Sequence, residues 1–196
     1  MRAERRARAL LAELLPDAEF AAVLPGPVLG PPVAGRRVAA SIEKTLAPLL
    51  DGQLRFGSVD MTLGLVDARD VAAAVVALAR LPAGALDRAE AASRFVCVAR
   101  PSPRLQDVAD ALRGAFPAYA RVLPRRAMPL PRWLLLAVMR LTVTREAFSY
   151  TRAMLGRRVD YDTSLTESAL GARFRPYGES VVDTVAWLHA RGLRGA

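Results

Sequence analysis

Residues 24–32 read Leu24-Pro25-Gly26-Pro27-Val28-Leu29-Gly30-Pro31-Pro32, and the rest of the chain can be placed around them. The apolar run from Phe20 to Leu24 predicts a buried strand. Since proline cannot donate to a sheet ladder, we expect this strand to end at Leu24. Proline fixes φ and glycine tolerates unusual φ, so a stiff, shaped loop follows. Open α/β sheets bind ligands at such strand ends; the alternative is a plain proline-rich turn.

Two later stretches carry further signals. Residues 64–72 read Gly-Leu-Val-Asp-Ala-Arg-Asp-Val-Ala, and residues 170–176 read Leu-Gly-Ala-Arg-Phe-Arg-Pro, with a helical pattern over 179–188. With the first stretch, they resemble three elements of the extended short-chain dehydrogenases/reductases: N/R-P-G-x-V-x-G-P, x-h-V-D-V-R-D-V-A and L-G-F-x-P. This is the NAD(P)-dependent epimerase/dehydratase and dihydroflavonol-reductase-like group. The three elements come in the family's order and match only its C-terminal half.

The resemblance implies an α/β fold. We expect the C-terminal part of a Rossmann-like parallel sheet with an interleaved, mostly helical substrate-binding cap. Residues 1–196 would form a single partial domain. Its Rossmann-side elements would occupy about 1–30 and 61–100, and its cap elements about 31–60 and 101–196.

The resemblance also implies ligand-binding roles. Four residues would line the nicotinamide end of NAD or NADP: Pro25, Gly26, Pro27 and Val28. Three would open the substrate pocket: Leu29, Gly30 and Pro31. Sugar epimerases of the family usually carry Tyr or Phe in place of Leu29. The apolar version is more similar to reductases of aldehydes, dihydroflavonols or hydroxysteroids, which implies a small apolar carbonyl or alcohol substrate.

The chain lacks two features that the family's hydride transfer requires. No G-x-x-G-x-x-G or G-x-G-x-x-G turn is present to hold the pyrophosphate. The family's tyrosine acid needs a lysine four residues later, but Lys44 is the only lysine and follows Ala40 at that distance. We therefore predict no catalytic residue. One hypothesis is the substrate-binding half of a reductase, completed upstream of Met1 or by a separate subunit. The other is a non-catalytic binding module or heteromeric subunit.

Composition narrows the other classes of function. The chain has 196 residues, 53% of them hydrophobic, and no apolar run approaches the ~20 residues of a membrane span. The single cysteine, Cys97, fits a reducing cytoplasm and reads as a buried structural thiol. With one histidine, His189, a histidine-rich metal site is not expected. The net charge of +9 is nearly all arginine. This charge indicates either arginines spread over a solvent-exposed surface or attraction to an anionic partner. We favour the first interpretation and expect no nucleic-acid partner.

Residues 123–143 are unusual because arginines and prolines precede an apolar helix that carries Trp133. This pattern is typical of a helix that docks on a membrane surface. It also suits a substrate-domain helix packed inside the protein, and the family commonly has a P-x-W-L helix here. The second interpretation is favoured.

Local signals predict helix starts and buried faces. Residues 2–15 form a helix with one apolar face, and Val38 to Leu50 form a second. Asp67 is the N-cap of a third helix, with Asp70 in its first turn, and capping is a better interpretation of the two carboxylates than acid/base chemistry. Further helices start with Ser102 as the cap and at the Ser180-x-x-Asp183 capping box.

Overall fold

The computed structural model describes residues 2–15, 17–32, 40–86 and 93–192. Helices and short strands alternate in its first half, and helices dominate the second. In chain order the elements are α1 Arg2–Leu14, β1 Ala22–Pro25, β2 Val28–Leu29, α2 Ala40–Leu50, β3 Val66–Asp67, α3 Ala68–Ala79, β4 Arg94–Cys97, α4 Leu105–Ala115, a 3₁₀ helix Pro117–Arg121, α5 Arg132–Thr142, α6 Arg145–Met154, α7 Ser164–Leu170 and α8 Tyr177–Ala190. Of the predicted second helix, residues 38 and 39 lie outside the described residues.

The strands form two parallel pairs. β1 pairs with β4, so that Ala22 lies opposite Arg94 and Pro25 opposite Cys97. β2 pairs with β3, with Val28 opposite Val66. The first strand therefore runs one residue beyond the predicted end. The amide of Gly26 donates to the carbonyl oxygen of Cys97 in β4 at 3.1 Å, so the nitrogen of Pro25 faces the opposite side of β1. Proline is tolerated there because none of the described strands pairs on that side.

Two groups of apolar side chains form the core. The larger one joins Leu29 to α2, α4 and α8, and its fully buried members include Leu46, Leu49, Val108, Leu112, Val185 and Leu188. The smaller one consists of Val66, Ala74 and Cys97. The prediction that Cys97 is a buried structural thiol is confirmed, and burial raises its pKa.

The predicted cap of α4 is wrong. The helix begins at Leu105 with Arg104 as its N-cap, two residues after Ser102. The residues between Ser102 and Leu105 are held extended, because the amide of Leu63 donates to the carbonyl oxygen of Pro103 and the amide of Leu105 donates to that of Met61. The buried residues of this helix are Leu105, Val108, Ala109 and Leu112, which form one face at helical spacing.

The predicted start of the last helix is also wrong. α8 begins at Tyr177 and has Pro176 as its N-cap. Proline is well suited to a helix start, since φ there is already close to the helical value. Ser180 thus lies one turn inside the helix and is buried, and the Asp183 carboxylate accepts a hydrogen bond from Arg69 instead of capping.

The apolar face predicted for α1 is exposed: Leu10 is 36% and Leu14 69% accessible. The helix contacts the rest of the chain through charged side chains instead. Glu4 lies 3.3 Å from the guanidinium of Arg94, and the Arg8 guanidinium stacks 4.5 Å from the centre of the Phe20 ring.

Candidate functional site

The first half of the loop after β1 is held by close backbone contact. A Cβ on Gly26 would lie 1.6 Å from the carbonyl oxygen of Gly64, so only glycine fits. Gly64 is covered in turn by the ring of Tyr161, whose Cε2 would lie 2.7 Å from a Cβ at residue 64. The loop, the segment leading into β3 and Tyr161 are therefore stacked without room for side chains between them.

The second half of the loop is buried in the core. Leu29 has no accessible surface and belongs to the larger apolar group. Gly30 has φ +101°, and its amide donates to the hydroxyl of Thr184 at 2.7 Å. A Cβ at residue 30 would lie 2.9 Å from a carboxylate oxygen of Asp67. Of the three residues expected to open a substrate pocket, Leu29 and Gly30 are thus buried and Pro31 is half-buried.

The four residues expected to contact the cofactor retain some accessible surface. Pro25 is exposed, and Gly26, Pro27 and Val28 are half-buried. Several of their backbone groups are already paired, since Val66 donates to the carbonyl of Pro27 and the Ser41 hydroxyl to that of Val28. What remains for a ligand is mainly the exposed apolar surface of Pro25, with the accessible parts of Pro27 and Val28. The assignment of the seven residues to cofactor and substrate stays a prediction.

Asp67 is the N-cap of α3, as predicted. Its side chain is inaccessible to solvent and accepts hydrogen bonds from the backbone amide and the guanidinium of Arg69, each at 2.8 Å. Burial alone would raise the pKa of Asp67, but these hydrogen bonds outweigh it and lower the pKa below 3.8. Arg69 also donates to Asp183 of α8 at 2.6 Å, and the two carboxylates raise the pKa of its guanidinium. The capped end of α3 is thereby tied to α8.

Asp70 makes a second link of the same kind. It is buried, and one carboxylate oxygen accepts the backbone amide of Arg175 at 2.7 Å while the other accepts its guanidinium. The three sequence elements that resemble the reductase family therefore meet at one place. Both carboxylates are occupied by arginines, which supports structural roles for Asp67 and Asp70.

A cavity of about 240 Å³ lies apart from the predicted residues. Its walls come from the segment before β3, from the loop between β4 and α4 with the first turn of α4, and from the loop before α7. The lining residues are Thr62, Pro101, Ser102, Arg104, Asp107, Arg158, Val159 and Asp160. None of the seven predicted residues is among them.

The cavity is polar. The Ser102 hydroxyl is buried and has no hydrogen-bond partner within the described ranges. Arg158 is exposed and forms no ion pair with any residue that the structure describes. Thr62 is already engaged, since its hydroxyl donates to the carbonyl of Arg157 at 3.1 Å. The Ser102 oxygen is inaccessible to solvent, so the groups that a polar ligand would meet are the guanidiniums of Arg104 and Arg158 and the carboxylates of Asp107 and Asp160.

The sequence interpretation missed this cavity. The sequence predicts Ser102 to be a helix cap and assigns no role to Arg158, so neither residue indicates a binding site. The residues come from three segments far apart in sequence, and no local spacing signals their proximity. Among the described residues, no group of three or more His, Cys, Asp or Glu side chains could hold a metal ion, and no helix is long and apolar enough to cross a bilayer.

Neither a protein-family model nor a curated protein sequence matches this chain. Solved structures do. Yeast methylglyoxal/isovaleraldehyde reductase Gre2, complexed with NADPH, is 23% identical with a TM-score of 0.57, and the match covers 98% of this chain and 54% of that one. Vestitone reductase from alfalfa (Medicago sativa L.) is 17% identical with a TM-score of 0.61, over 96% of this chain and 49% of that one.

A third match is MoeE5 in complex with UDP-glucuronic acid and NAD. It is 17% identical with a TM-score of 0.57, over 94% of this chain and 52% of that one. The chain has the fold of the extended short-chain reductases. It spans about half the length of these structures, so the fold predicted from the sequence, including its partial extent, is confirmed. At these identities the likeness concerns the fold alone.

Proposed function

We propose that this chain is the substrate-binding half of an NAD(P)-dependent short-chain reductase that acts on a small apolar aldehyde, ketone or alcohol. The observation that carries the proposal is the loop after β1. Its tip is an apolar surface of Pro25 and Pro27, fixed at the carboxyl end of parallel strands by the contact of Gly26 with Gly64. The NADPH complex of Gre2, with the same fold, supports the choice of cofactor.

The residues present fit one end of the cofactor. The accessible apolar surface of Pro25 and Pro27 suits van der Waals contact with a nicotinamide ring, and nearby backbone groups are paired within the protein. The loop offers no cation for a pyrophosphate. When bound, the cofactor would supply hydride, and this chain would supply a rigid surface that orients the ring. The tyrosine and lysine of the family reaction would have to come from another polypeptide segment.

The test is complementation. The N-terminal half of a Gre2-type reductase, with its glycine turn and Tyr-x-x-x-Lys pair, would be joined ahead of residue 2 and assayed for NADPH oxidation with isovaleraldehyde. We expect oxidation by the fusion and none by the chain alone. A folded fusion that binds NADPH but does not oxidise it with any apolar aldehyde would contradict the proposal.

The polar cavity favours a second candidate, a non-catalytic module that binds a small polar molecule. Its volume of about 240 Å³ lies just below the roughly 300–1,000 Å³ that is usual for small-molecule sites, and its lining includes the guanidiniums of Arg104 and Arg158. MoeE5 binds UDP-glucuronic acid on the same fold, and of that molecule only the sugar acid is small enough for this cavity, which makes glucuronic acid a suitable probe.

Titration by NMR distinguishes the two candidates. Binding of glucuronic acid by the chain alone, lost in Arg158→Gln but kept in Arg152→Gln, would support the binding module. Arg152 is a matched control because it is an exposed arginine outside the cavity lining. Equal changes in NMR chemical shift on addition of the probe to both variants would show that it does not bind in the cavity.

A further inference from the structure

Positive charge is concentrated in one part of the chain. Between residues 121 and 158 the sequence has nine arginines, no lysine and one acidic residue, Glu146. This segment therefore carries eight of the nine net positive charges of the chain. All nine arginines are exposed: Arg121, Arg125, Arg126, Arg132, Arg140, Arg145, Arg152, Arg157 and Arg158. Within the described ranges none of them forms an ion pair.

Helix α5, which lies in this segment, has apolar side chains both on the face that packs on the protein and on the exposed face. Its inner face packs on the core through buried Leu135 and partly buried Leu136 and Met139. Its outer face carries Trp133, 71% accessible, and Leu141, 88% accessible. These two residues are eight apart, so they lie on one side of the helix, two turns from each other.

We infer that α5 docks on an anionic lipid bilayer, in which Trp133 and Leu141 enter the interface and Arg132 and Arg140 of the same helix, with other arginines of residues 121–158, bind lipid headgroups. Val138, 46% accessible, adds to this exposed apolar surface, and removal of apolar surface from water favours docking. Tryptophan and arginine are the residues that prefer the boundary between headgroups and acyl chains. Helix α5 has 11 residues, too few to span a bilayer, so it would lie in the plane of the surface.

Charge complementarity selects this partner over the others. An anionic bilayer offers both a negative surface for the exposed arginines and an apolar layer for Trp133 and Leu141. A nucleic-acid backbone would use the arginines but leave the apolar face without a partner. Sequence interpretation favoured a helix packed inside the protein. The structure shows that packing for one face of α5 only, which leaves the other face for docking.

The experiment is co-sedimentation with vesicles of phosphatidylcholine alone and with about 30 mol % phosphatidylserine. We expect binding to the anionic vesicles only, weakening as NaCl rises from ~50 to ~500 mM because salt screens the headgroup charge. Brominated lipid should quench fluorescence from Trp133, whereas the other tryptophan, Trp187, is buried.

Two pairs of variants assign the effect to α5. Trp133→Ala with Leu141→Ala should weaken binding at least about tenfold. Arg132→Gln with Arg140→Gln should weaken it roughly 30-fold, since each arginine contributes about a factor of five. The matched controls on α1, namely Leu10→Ala with Leu14→Ala and Arg5→Gln with Arg6→Gln, also change exposed side chains and should bind like the unchanged chain.

Three results would overturn the inference. The first is the absence of binding to anionic vesicles by a chain whose circular dichroism shows it to be folded. The second is an equal loss of binding in the α1 and α5 variants, which would make the effect one of net charge. The third is tighter binding to duplex DNA than to the vesicles, which would assign the arginines to nucleic acid.

Discussion

Replacing Asp67 by alanine should destabilise the chain by about 2–3 kcal/mol. The lost helix cap contributes about 1 kcal/mol. The charge-assisted hydrogen bonds from Arg69 would add about 1.5–3 kcal/mol in a fully buried site. The lower end applies here, because the Arg69 side chain is 37% exposed and keeps its hydrogen bond to Asp183. The measurement is the free energy of unfolding in urea.

Asp67→Asn separates the cap from the charge. Asparagine caps helices as well as aspartate does, so this variant should lose only the charge-assisted part, about 1–2 kcal/mol. Asp183→Asn is the matched control. It also removes a carboxylate from Arg69, but its side chain is 44% exposed, and the loss should stay under about 1 kcal/mol.

The same contacts give a pH dependence. The pKa of Asp67 is lowered in the folded chain, from an ordinary value of 3.8. Its charge therefore contributes stability that is fully present above the unfolded-state pKa, and is lost as the pH falls through the folded-state pKa. The difference in stability between the unchanged chain and Asp67→Asn should be constant above about pH 5 and shrink below about pH 4. Equal losses in the alanine and asparagine variants, or a difference that does not vary with pH, would refute the reasoning.

Three further changes test the loop and the core. Gly26→Ala should lower the free energy of unfolding by more than about 2 kcal/mol, because the new Cβ would overlap the Gly64 carbonyl. The Cβ of Gly114→Ala meets nothing within 4 Å, so this control should be neutral or should stabilise α4 by up to about 1 kcal/mol. Unfolding in urea measures both variants. Thr184→Val should cost about 1–3 kcal/mol in the same assay, because it leaves the buried amide of Gly30 without its acceptor. Native Cys97 should react with a thiol reagent only as fast as the chain opens, since burial excludes the reagent and raises the pKa of the thiol; rapid labelling of the folded chain would contradict this.

Local signals in the sequence were sufficient for much of the fold. The cap at Asp67 depends only on neighbouring residues, and the structure has it. The starts of α4 and α8 were misplaced because distant segments decide them. Residues 103–105 pair with residues 61–63, which keeps the chain extended past Ser102. Hydrophobic periodicity also failed for α1, whose contacts are with charged partners such as Arg94.

The candidate site was only partly predictable for the same reason. The loop at residues 25–31 could be found because proline and glycine leave a local signature. Its division into an exposed tip and a buried second half could not, because burial of Leu29 depends on α2, α4 and α8. The cavity with Ser102 and Arg158 is assembled from three separate segments and has no local signature.

The residues that carry the family resemblance serve mainly to join elements of the fold. Arg69 connects Asp67 to Asp183, Arg175 binds Asp70, and the amide of Gly30 binds Thr184. Each contact links two of the three motifs. Loss of any one would loosen the strand ends whatever reaction took place there, so folding alone is a sufficient reason for these residues to be present. The motifs are therefore strong signs of the fold and weak signs of the chemistry, and function has to be tested at the surfaces that they leave free: the tip at Pro25 and Pro27, the polar cavity, and the outer face of α5.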